Sequence, residues 1–198
     1  MDLLVIAGFL GSGKTTMILS TIGRVIDGSN RKVAIIVNDF GKIGIDGKVM
    51  EKYGLKVQEL ASGCICCTLG PDFIQTLKQV AEGYEPDVVV VEPTGIADPQ
   101  SIMNSLGYYS GPPVERKKIV VILDAPRFSV LVRALEKPLK AQLEAADVII
   151  INKIDAVEPS VIDGIVRVLK SLRTTAKIVA ASATEGTNLD EVVNLLVG

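Results

Sequence analysis

The sequence predicts an α/β domain in which a mostly parallel central sheet is covered by helices on both faces. Two observations predict this class. Short apolar, β-branched segments alternate along the chain with segments of helical periodicity. Several strand candidates, such as Val88–Val91 and Ile119–Leu123, are apolar at every position, which is typical of strands buried on both faces. For 198 residues we expect a single domain that spans residues 1–198.

The apolar periodicity, together with glycine and proline positions, predicts the elements of this domain. The predicted strands are Leu3–Ala7, Val33–Val37, Val57–Leu60, Val88–Val91, Ile119–Leu123, Val148–Ile151 and Ile178–Ala180. The predicted helices are Thr15–Asp27, Asp72–Gly83, Pro99–Leu106, Pro126–Leu135, Pro138–Ala145, Pro159–Leu172 and Leu189–Leu196. Several of them begin with proline, whose missing N–H costs little in a first turn. Phe40–Tyr53 and Tyr108–Lys117, rich in glycine or proline and in charge, are predicted to be mobile loops.

Composition argues against several classes of function. Aromatic residues make up 4% of the chain and tryptophan is absent, so a base-stacking surface for single-stranded nucleic acid is not expected. A net charge of −2 argues against binding a phosphate backbone. No apolar segment approaches the ~20 residues that cross a bilayer. Asp2 stands where a signal peptide would carry basic residues. We therefore expect a cytoplasmic protein that binds neither nucleic acid nor membrane.

The segment Gly8–Thr15 has the spacing G-x-x-x-x-G-K-S/T of a phosphate-binding loop. It follows a predicted strand and precedes a predicted helix, which is the context that the motif requires. Its glycines allow main-chain N–H groups to face phosphate oxygens, and the helix start adds unpaired donors. Lys14 is predicted to contact the outer phosphates and Thr15 to bind Mg²⁺. The predicted phosphate-binding residues are Gly11, Ser12, Gly13, Lys14, Thr15 and Thr16. The fold class is therefore that of a P-loop NTPase.

A later strand ends in the letters N-K-I-D, which are typical of a guanine pocket in P-loop proteins. A carboxylate at Asp155 can accept from the two adjacent donors of guanine, N1–H and N2–H, which adenine lacks. Lys153 is predicted to lie over the base, and Asn152 to tie the loop to neighbouring backbone. Candidates for a main-chain donor to guanine O6 are Ser182 and Ala183. A helix-entry turn is the alternative for this motif, and the upstream phosphate loop argues against it.

All the cysteines of the chain, Cys64, Cys66 and Cys67, lie within four residues. Disulfides between cysteines this close fit normal geometry badly. Thiolates at this spacing can bind a transition metal, Zn²⁺ or else Co²⁺ or Ni²⁺. A tetrahedral ion would need one more ligand, and the chain has no histidine to supply it. Water, a carboxylate or a group from a second copy of the chain are the candidates. Two alternatives stay open: three small buried side chains in a turn, or a redox-active cluster.

Two predicted loops at strand ends are candidates for sensing the γ-phosphate. The first contains Asp39 and the second contains Glu92 and Gly95. A carboxylate at Glu92 could hold Mg²⁺ or position the attacking water, and Gly95 could donate its N–H to the γ-phosphate. The predicted catalytic residues are therefore Lys14, Glu92 and Gly95. An ordinary strand-to-loop turn is the alternative. Asp124, which ends the fifth strand, is interpreted as a helix cap rather than a ligand.

Five segments now stand in order: GFLGSGKTT, NDFGKIGID, GCICCTL, EPTGIADP and NKID. Together they resemble the CobW-type metallochaperone GTPases of the SIMIBI class. The resemblance implies GTP hydrolysis to GDP with Mg²⁺, coupled to handing a transition metal to a client metalloprotein or a corrinoid (cobalamin) system. It also implies a nucleotide-dependent homodimer. It assigns the transition metal to the three cysteines and Mg²⁺ to Thr15, with Asp39 and Glu92 as further Mg²⁺ candidates.

The sequence departs from the family pattern in two ways. The first switch reads Asn-Asp-Phe-Gly where the family usually has Asn-Glu-Phe-Gly, so the carboxylate of Asp39 sits on a shorter side chain. Many members carry histidine-rich stretches and a C-terminal domain, whereas this sequence has no histidine, so metal storage is not expected. The alternative function is a GTP-dependent interaction or activation module with a structural metal and no delivery role. A P-loop small-molecule kinase is disfavoured by the guanine motif.

Overall fold

The seven strands of the described part of the chain form one parallel sheet with helices on both faces. The structure, a computed structural model, describes residues 1–29, 31–37, 56–59, 65–172 and 175–197. The strands are β1 Asp2–Ala7, β2 Val33–Val37, β3 Lys56–Glu59, β4 Val88–Glu92, β5 Arg116–Asp124, β6 Val148–Asn152 and β7 Lys177–Ala180. The α-helices of these ranges are α1 Lys14–Ser29, α2 Ile65–Tyr84, α3 Pro99–Ser105, α4 Phe128–Ala134, α5 Glu136–Ala145, α6 Pro159–Ser171 and α7 Leu189–Val197. Short 3₁₀-helices cover Leu106–Tyr108 and Ile154–Ala156.

The strand order β3-β2-β4-β1-β5-β6-β7 puts β1 at the centre of the sheet. Val5 of β1 lies opposite Val91 of β4 on one side and opposite Ile119 of β5 on the other. On one side of β1, the later strand β4 lies between β1 and the earlier strands β2 and β3, whereas on the other side β5, β6 and β7 follow outward in chain order. In sheets of this kind, ligands bind beyond the carboxyl ends of the strands where the order reverses. The segment at that position here is the glycine-rich loop that follows β1.

Alternating strand residues face two separate apolar layers, because successive side chains of a strand point to opposite faces. On one face, Leu3 and Val5 pack in the layer that α2–α6 cover. On the other face, Leu4 and Ile6 pack in the layer that α1 and α7 cover. Central strand residues such as Ile149 are fully buried. This two-sided burial explains why the strands are apolar at every position.

The predicted fold class is confirmed, and each predicted strand and helix has a counterpart in the structure. One predicted loop, Tyr108–Lys117, is wrong at its end, because β5 begins at Arg116. Charge suggested a loop there, but Arg116 donates to Asp2 on β1 at 2.7 Å, and Lys118 donates to the Leu195 carbonyl at 2.6 Å. These contacts accommodate charged residues at the start of a central strand. The other predicted loop, Phe40–Tyr53, lies outside the described residues.

The second helix also differs from its prediction, since it begins at Ile65 rather than at Asp72. Gly70 and Pro71 directly precede the predicted start, but the helix runs through both residues. Pro71 lacks the N–H that would donate to the Cys67 carbonyl four residues earlier, so the first turns of α2 contain one main-chain hydrogen bond fewer.

Among the helices of the described ranges, none combines the length and apolar character that crossing a membrane requires.

We expect Leu77→Ala to lower the free energy of unfolding by about 2–5 kcal/mol, because Leu77 of α2 is fully buried against the sheet. Leu172→Ala is the matched control: the same change at a side chain that is 44% exposed should cost about 0.5 kcal/mol or less. Urea denaturation of both variants and the parent measures the difference. Equal losses for the two variants would contradict this packing of α2.

Candidate functional site

The loop between β1 and α1 has a backbone that only glycine adopts readily at three of its positions. The φ angles are 139° at Gly8, 75° at Gly11 and 95° at Gly13. A side chain is strained at such angles, so the glycines of the motif are required by the loop itself. The main-chain N–H of Ser12 donates to Phe9 at 3.0 Å and closes the loop. The Ser12 hydroxyl is buried and has no hydrogen-bond partner among the described residues.

Thr15 and Glu92, predicted from separate motifs, meet beside this loop. The Thr15 hydroxyl contacts both carboxylate oxygens of Glu92 at 2.9 Å. The Lys14 Nζ lies 3.9 Å from Glu92 Oε1, and both of these side chains are buried. A hydroxyl beside a carboxylate is the kind of oxygen donor set that Mg²⁺ takes in phosphate sites. The residues therefore fit Mg²⁺. The third candidate ligand, Asp39, lies outside the described residues.

Gly95, on the loop that follows β4, packs directly against the phosphate loop. A Cβ added to Gly95 would lie 2.5 Å from the Leu10 nitrogen and 3.1 Å from the Phe9 carbonyl carbon. Both contacts are with main chain, which cannot move aside easily. The close approach therefore requires glycine. It brings the two segments predicted to meet at the γ-phosphate into contact, and the catalytic roles of Lys14, Glu92 and Gly95 stay predictions.

Asn152, the last residue of β6, joins the phosphate loop to the segment after β7. Its side-chain N–H₂ donates to the Ser12 carbonyl at 2.9 Å, and its Oδ1 accepts from the Ala183 N–H at 3.1 Å. The side chain is buried. The expected tie to neighbouring backbone is thus observed, with two named partners. An amide is suited to this position because it offers a donor and an acceptor at once.

The remaining base-recognition candidates lie around this amide. Asp155 is exposed within the 3₁₀-helix after Lys153. The Ser182 N–H donates to the Thr187 carbonyl at 3.2 Å, and the Ala183 N–H is taken by Asn152. A main-chain contact from Ser182 or Ala183 to guanine O6 therefore stays a prediction, as does the role of Asp155. Thr16, the last of the predicted phosphate contacts, is exposed on the first turn of α1.

Two residues that hold this site together were not recognised as such from the sequence: Asp124 was interpreted only as a helix cap, and Arg127 was not singled out. Asp124 is fully buried at the end of β5 and accepts from Lys153 Nζ and Arg127 Nε, each at 2.8 Å. Those two cations in turn hold the phosphate loop: Lys153 Nζ donates to the Gly11 carbonyl at 2.7 Å, and Arg127 Nη2 to the Leu10 carbonyl at 2.8 Å. A buried carboxylate thus orients two cations onto successive loop carbonyls.

The interpretation of Asp124 as a helix cap is therefore incomplete. Its Oδ1 does accept from the main-chain N–H of Arg127, before α4, at 3.1 Å. Burial alone would raise the pKa of Asp124, but hydrogen bonds from Lys153 and Arg127 outweigh it and hold the pKa below its usual value. An acid directly after an apolar strand, followed by arginine three residues later, is a local signal for the Asp124–Arg127 pair, but it does not indicate their contacts with Lys153 and the phosphate loop.

The cysteine segment lies only partly within the described residues. Cys64 lies outside them, while Cys66 and Cys67 belong to the first turn of α2. Cys66 and Cys67, which were predicted to form one cluster with Cys64, are helical residues. β3, the strand before α2, is parallel to β2, so α2 begins at the edge of the sheet that carries the phosphate loop. The topology places Cys66 and Cys67 at that edge.

The fold and the loop define a P-loop nucleotide-binding domain. Residues 2–180 match the model of the CobW/HypB/UreG nucleotide-binding domain, and the chain belongs to that family. The predicted family and the predicted fold class, an α/β P-loop NTPase, are both confirmed.

Curated relatives agree with this assignment. The chain is 36% identical over 155 residues to the zinc chaperone YeiR of Escherichia coli, covering 78% of the chain and 47% of the relative. It is 34% identical over 214 residues to the zinc chaperone CobW of a Sinorhizobium species, covering 92% of the chain and 58% of the relative. The chain thus spans about half the length of these relatives. HypB from Helicobacter pylori, solved in complex with nickel, has the same fold, with a TM-score of 0.69 at 19% identity over 100% of the chain and 86% of HypB.

We expect Asp124→Asn to destabilise the protein by about 1–3 kcal/mol at pH 7, because it removes the charge that two cations share. The pKa of Asp124 is lowered on folding, so its contribution is present above the ordinary value of 3.8 and is lost as the pH falls through the folded pKa. The parent and the variant should therefore differ by a constant amount between about pH 8 and pH 5, and should converge below pH 3.8.

Urea denaturation at a series of pH values measures this difference. Asp163→Asn, at an exposed position of α6, makes the same chemical change and should leave stability within about 0.5 kcal/mol of the parent. A difference between the parent and Asp124→Asn that grew as the pH fell would contradict the assigned role of Asp124.

Proposed function

We propose that this chain binds and hydrolyses GTP with Mg²⁺, and that the nucleotide cycle controls the binding and release of a transition metal, Zn²⁺ first among them, for a client metalloprotein. The observation that carries the proposal is the meeting of Thr15, Glu92 and Lys14 beside the phosphate loop. The zinc-chaperone names of the two curated relatives support Zn²⁺ as the metal. The single domain, the homodimer and the cytoplasmic location expected from the sequence belong to the same proposal.

In this proposal the chain's residues share the work of binding the triphosphate. The main-chain N–H groups of the loop and of the α1 N-terminus take the phosphate oxygens. Lys14 contacts the outer phosphates. Thr15 and Glu92 hold Mg²⁺, which supplies positive charge to the β- and γ-phosphate oxygens when bound. Their close contact supports this pairing, because a neighbouring hydroxyl and carboxylate would supply oxygen ligands of the kind that Mg²⁺ takes in phosphate sites.

Hydrolysis then depends on positioning a water against the γ-phosphate. Gly95 is proposed to donate its N–H to that phosphate, and its contact with the phosphate loop supports this. The carboxylate of Glu92 is proposed to position this water. Arg127 contacts the loop but is already bound to Asp124 and the Leu10 carbonyl, so we expect slow intrinsic turnover. A partner protein or a second copy of the chain would then accelerate it.

The transition metal is proposed to bind the thiolates of Cys64, Cys66 and Cys67. The topology supports coupling between metal and nucleotide, since α2 begins at the sheet edge that carries the phosphate loop. Coupling requires that metal affinity differ between the GTP and GDP states, by about 1–3 kcal/mol for typical linked sites. The metal would be delivered to its client, a metalloenzyme or a corrinoid-related protein, from the nucleotide state that binds the metal more weakly.

Asp155→Asn should lower the affinity for GTP by about 10- to 100-fold, because an amide cannot accept from both guanine donors. Xanthosine triphosphate should bind the variant better than GTP does, since its C2 carbonyl can accept from the new amide. Equilibrium titration of GTP, ATP and xanthosine triphosphate measures both effects. Asp163→Asn, exposed on α6, should bind GTP as the parent does. Unchanged GTP affinity in Asp155→Asn would contradict the guanine pocket.

The parent should bind Zn²⁺ about 5- to 150-fold more tightly in one nucleotide state than in the other. Zn²⁺, Co²⁺ and Ni²⁺ are titrated with GDP and with a slowly hydrolysed GTP analogue. A variant with serine at residues 64, 66 and 67 should lose metal binding and retain GTP binding. Tight metal binding by that variant would contradict the cysteine site. Equal metal affinity in both nucleotide states of the parent would favour an interaction module with a structural metal over delivery.

A further inference from the structure

A buried glutamine holds the loop that carries Gly95. Gln142 lies on α5 and is 1% exposed. Its side-chain nitrogen donates to the Gly95 carbonyl and to the Ala97 carbonyl, each at 3.1 Å. Both carbonyls belong to the turn after β4, which the Ala97 N–H closes by donating to the Thr94 carbonyl at 3.1 Å. One amide group therefore uses both of its N–H bonds on the loop predicted to sense the γ-phosphate.

These two hydrogen bonds determine where Gly95 can lie. Gly95 packs so closely on the phosphate loop that a Cβ would lie 2.5 Å from the Leu10 nitrogen. Holding the carbonyls on either side of Ile96 fixes the turn in that position. If Gln142 lost its donors, both carbonyls would be left without these partners. The turn could then move away from the phosphate loop at less cost.

The other end of the amide is also informative. Gln142 Oε1 is buried and has no hydrogen-bond partner in the described part of the chain. A buried acceptor without a partner is unfavourable, and such groups call for an explanation in function or in an alternative arrangement. Here the adjacent turn is the segment expected to change when the γ-phosphate leaves.

The position of Gln142 in the fold links the two halves of the nucleotide site. α5 ends at Ala145, and β6, which starts at Val148, ends at Asn152 beside the phosphate loop. The helix that holds the Gly95 turn therefore leads directly into the strand that carries the guanine motif. Two hydrogen bonds join the Gly95 turn to this helix.

We propose that Gln142 is a positioning residue that holds the turn of Gly95 and Ala97 against the phosphate loop and so favours binding of GTP over GDP. This inference rests on the proposed GTP cycle and extends it to a buried residue outside the predicted nucleotide and metal contacts. Gln142 acts through Gly95: it places the N–H that the γ-phosphate is proposed to meet. A residue with a merely structural role would change stability without changing the preference between the two nucleotides.

The test uses Gln142→Met, which keeps length and volume but removes both donors, and Gln142→Glu, which keeps the shape and replaces the donors with oxygen. Gln79→Met, exposed on α2, is the matched control. Dissociation constants for GDP and for a slowly hydrolysed GTP analogue are measured with Mg²⁺ on the full chain. We expect both Gln142 variants to weaken the analogue about tenfold and GDP less than threefold. The control should keep the ratio of the parent.

A second measurement reports the turn directly. The chain has no tryptophan, so Ile96→Trp, at a side chain that is 64% exposed on the turn, adds a single fluorophore. With glutamine at residue 142, emission should differ between the GDP and analogue complexes. With Gln142→Met added, the two emission spectra should become alike.

The outcomes separate this inference from the proposed function. If the parent binds guanine nucleotides and both Gln142 variants keep the parent's ratio of affinities, the inference is overturned and the GTP cycle stands. If both variants weaken the two nucleotides equally, Gln142 is structural and the inference is again overturned. If the parent binds no guanine nucleotide, the proposed function fails and the inference fails with it.

Discussion

The nucleotide site depends on how a glycine-rich loop, which has few side chains of its own to pack, is held in place. Three successive carbonyls at residues 10–12 accept hydrogen bonds from the side chains of Arg127, Lys153 and Asn152. Because these carbonyls accept hydrogen bonds on the outer side of the loop, the main-chain N–H groups of the loop can face its inner side. Asp124 orients the two cations among these three, so one buried carboxylate supports much of the arrangement.

Burying that carboxylate costs free energy, and its neighbours determine whether the cost is recovered. Asp124 is fully buried, yet its hydrogen bonds to Lys153 and Arg127 keep its pKa low. On the other side of the loop, Glu92 is similarly buried between Lys14 and the Thr15 hydroxyl. The loop thus lies between two charged clusters of different character. In the first cluster, two side-chain cations of the protein pair with the carboxylate. The second cluster offers hydroxyl and carboxylate oxygens of the kind that Mg²⁺ binds.

In this CobW/HypB/UreG nucleotide-binding domain, one edge of the sheet carries both the phosphate loop and the start of the helix that bears Cys66 and Cys67. The phosphate loop follows β1, the Gly95 turn follows β4, and the helix bearing Cys66 and Cys67 follows β3. In a parallel sheet all three segments start from the same edge. Gln142 adds a connection from the opposite direction, because α5 reaches the Gly95 turn from the chain segment that precedes the guanine motif.

The sequence by itself determined the fold class and the motifs of the site, because both are written in local patterns. Strands buried on both faces are apolar throughout, and a phosphate loop needs glycine and lysine at fixed spacing. The roles of Asp124, Arg127 and Gln142 at the site could not be found in this way, because each of them contacts a residue 29 to 117 positions away along the chain. The start of β5 at Arg116 was likewise decided by its contact with Asp2, 114 residues away. Only the tertiary structure decides such pairs, since a buried polar group is stabilised by whichever partner the fold brings within hydrogen-bonding distance.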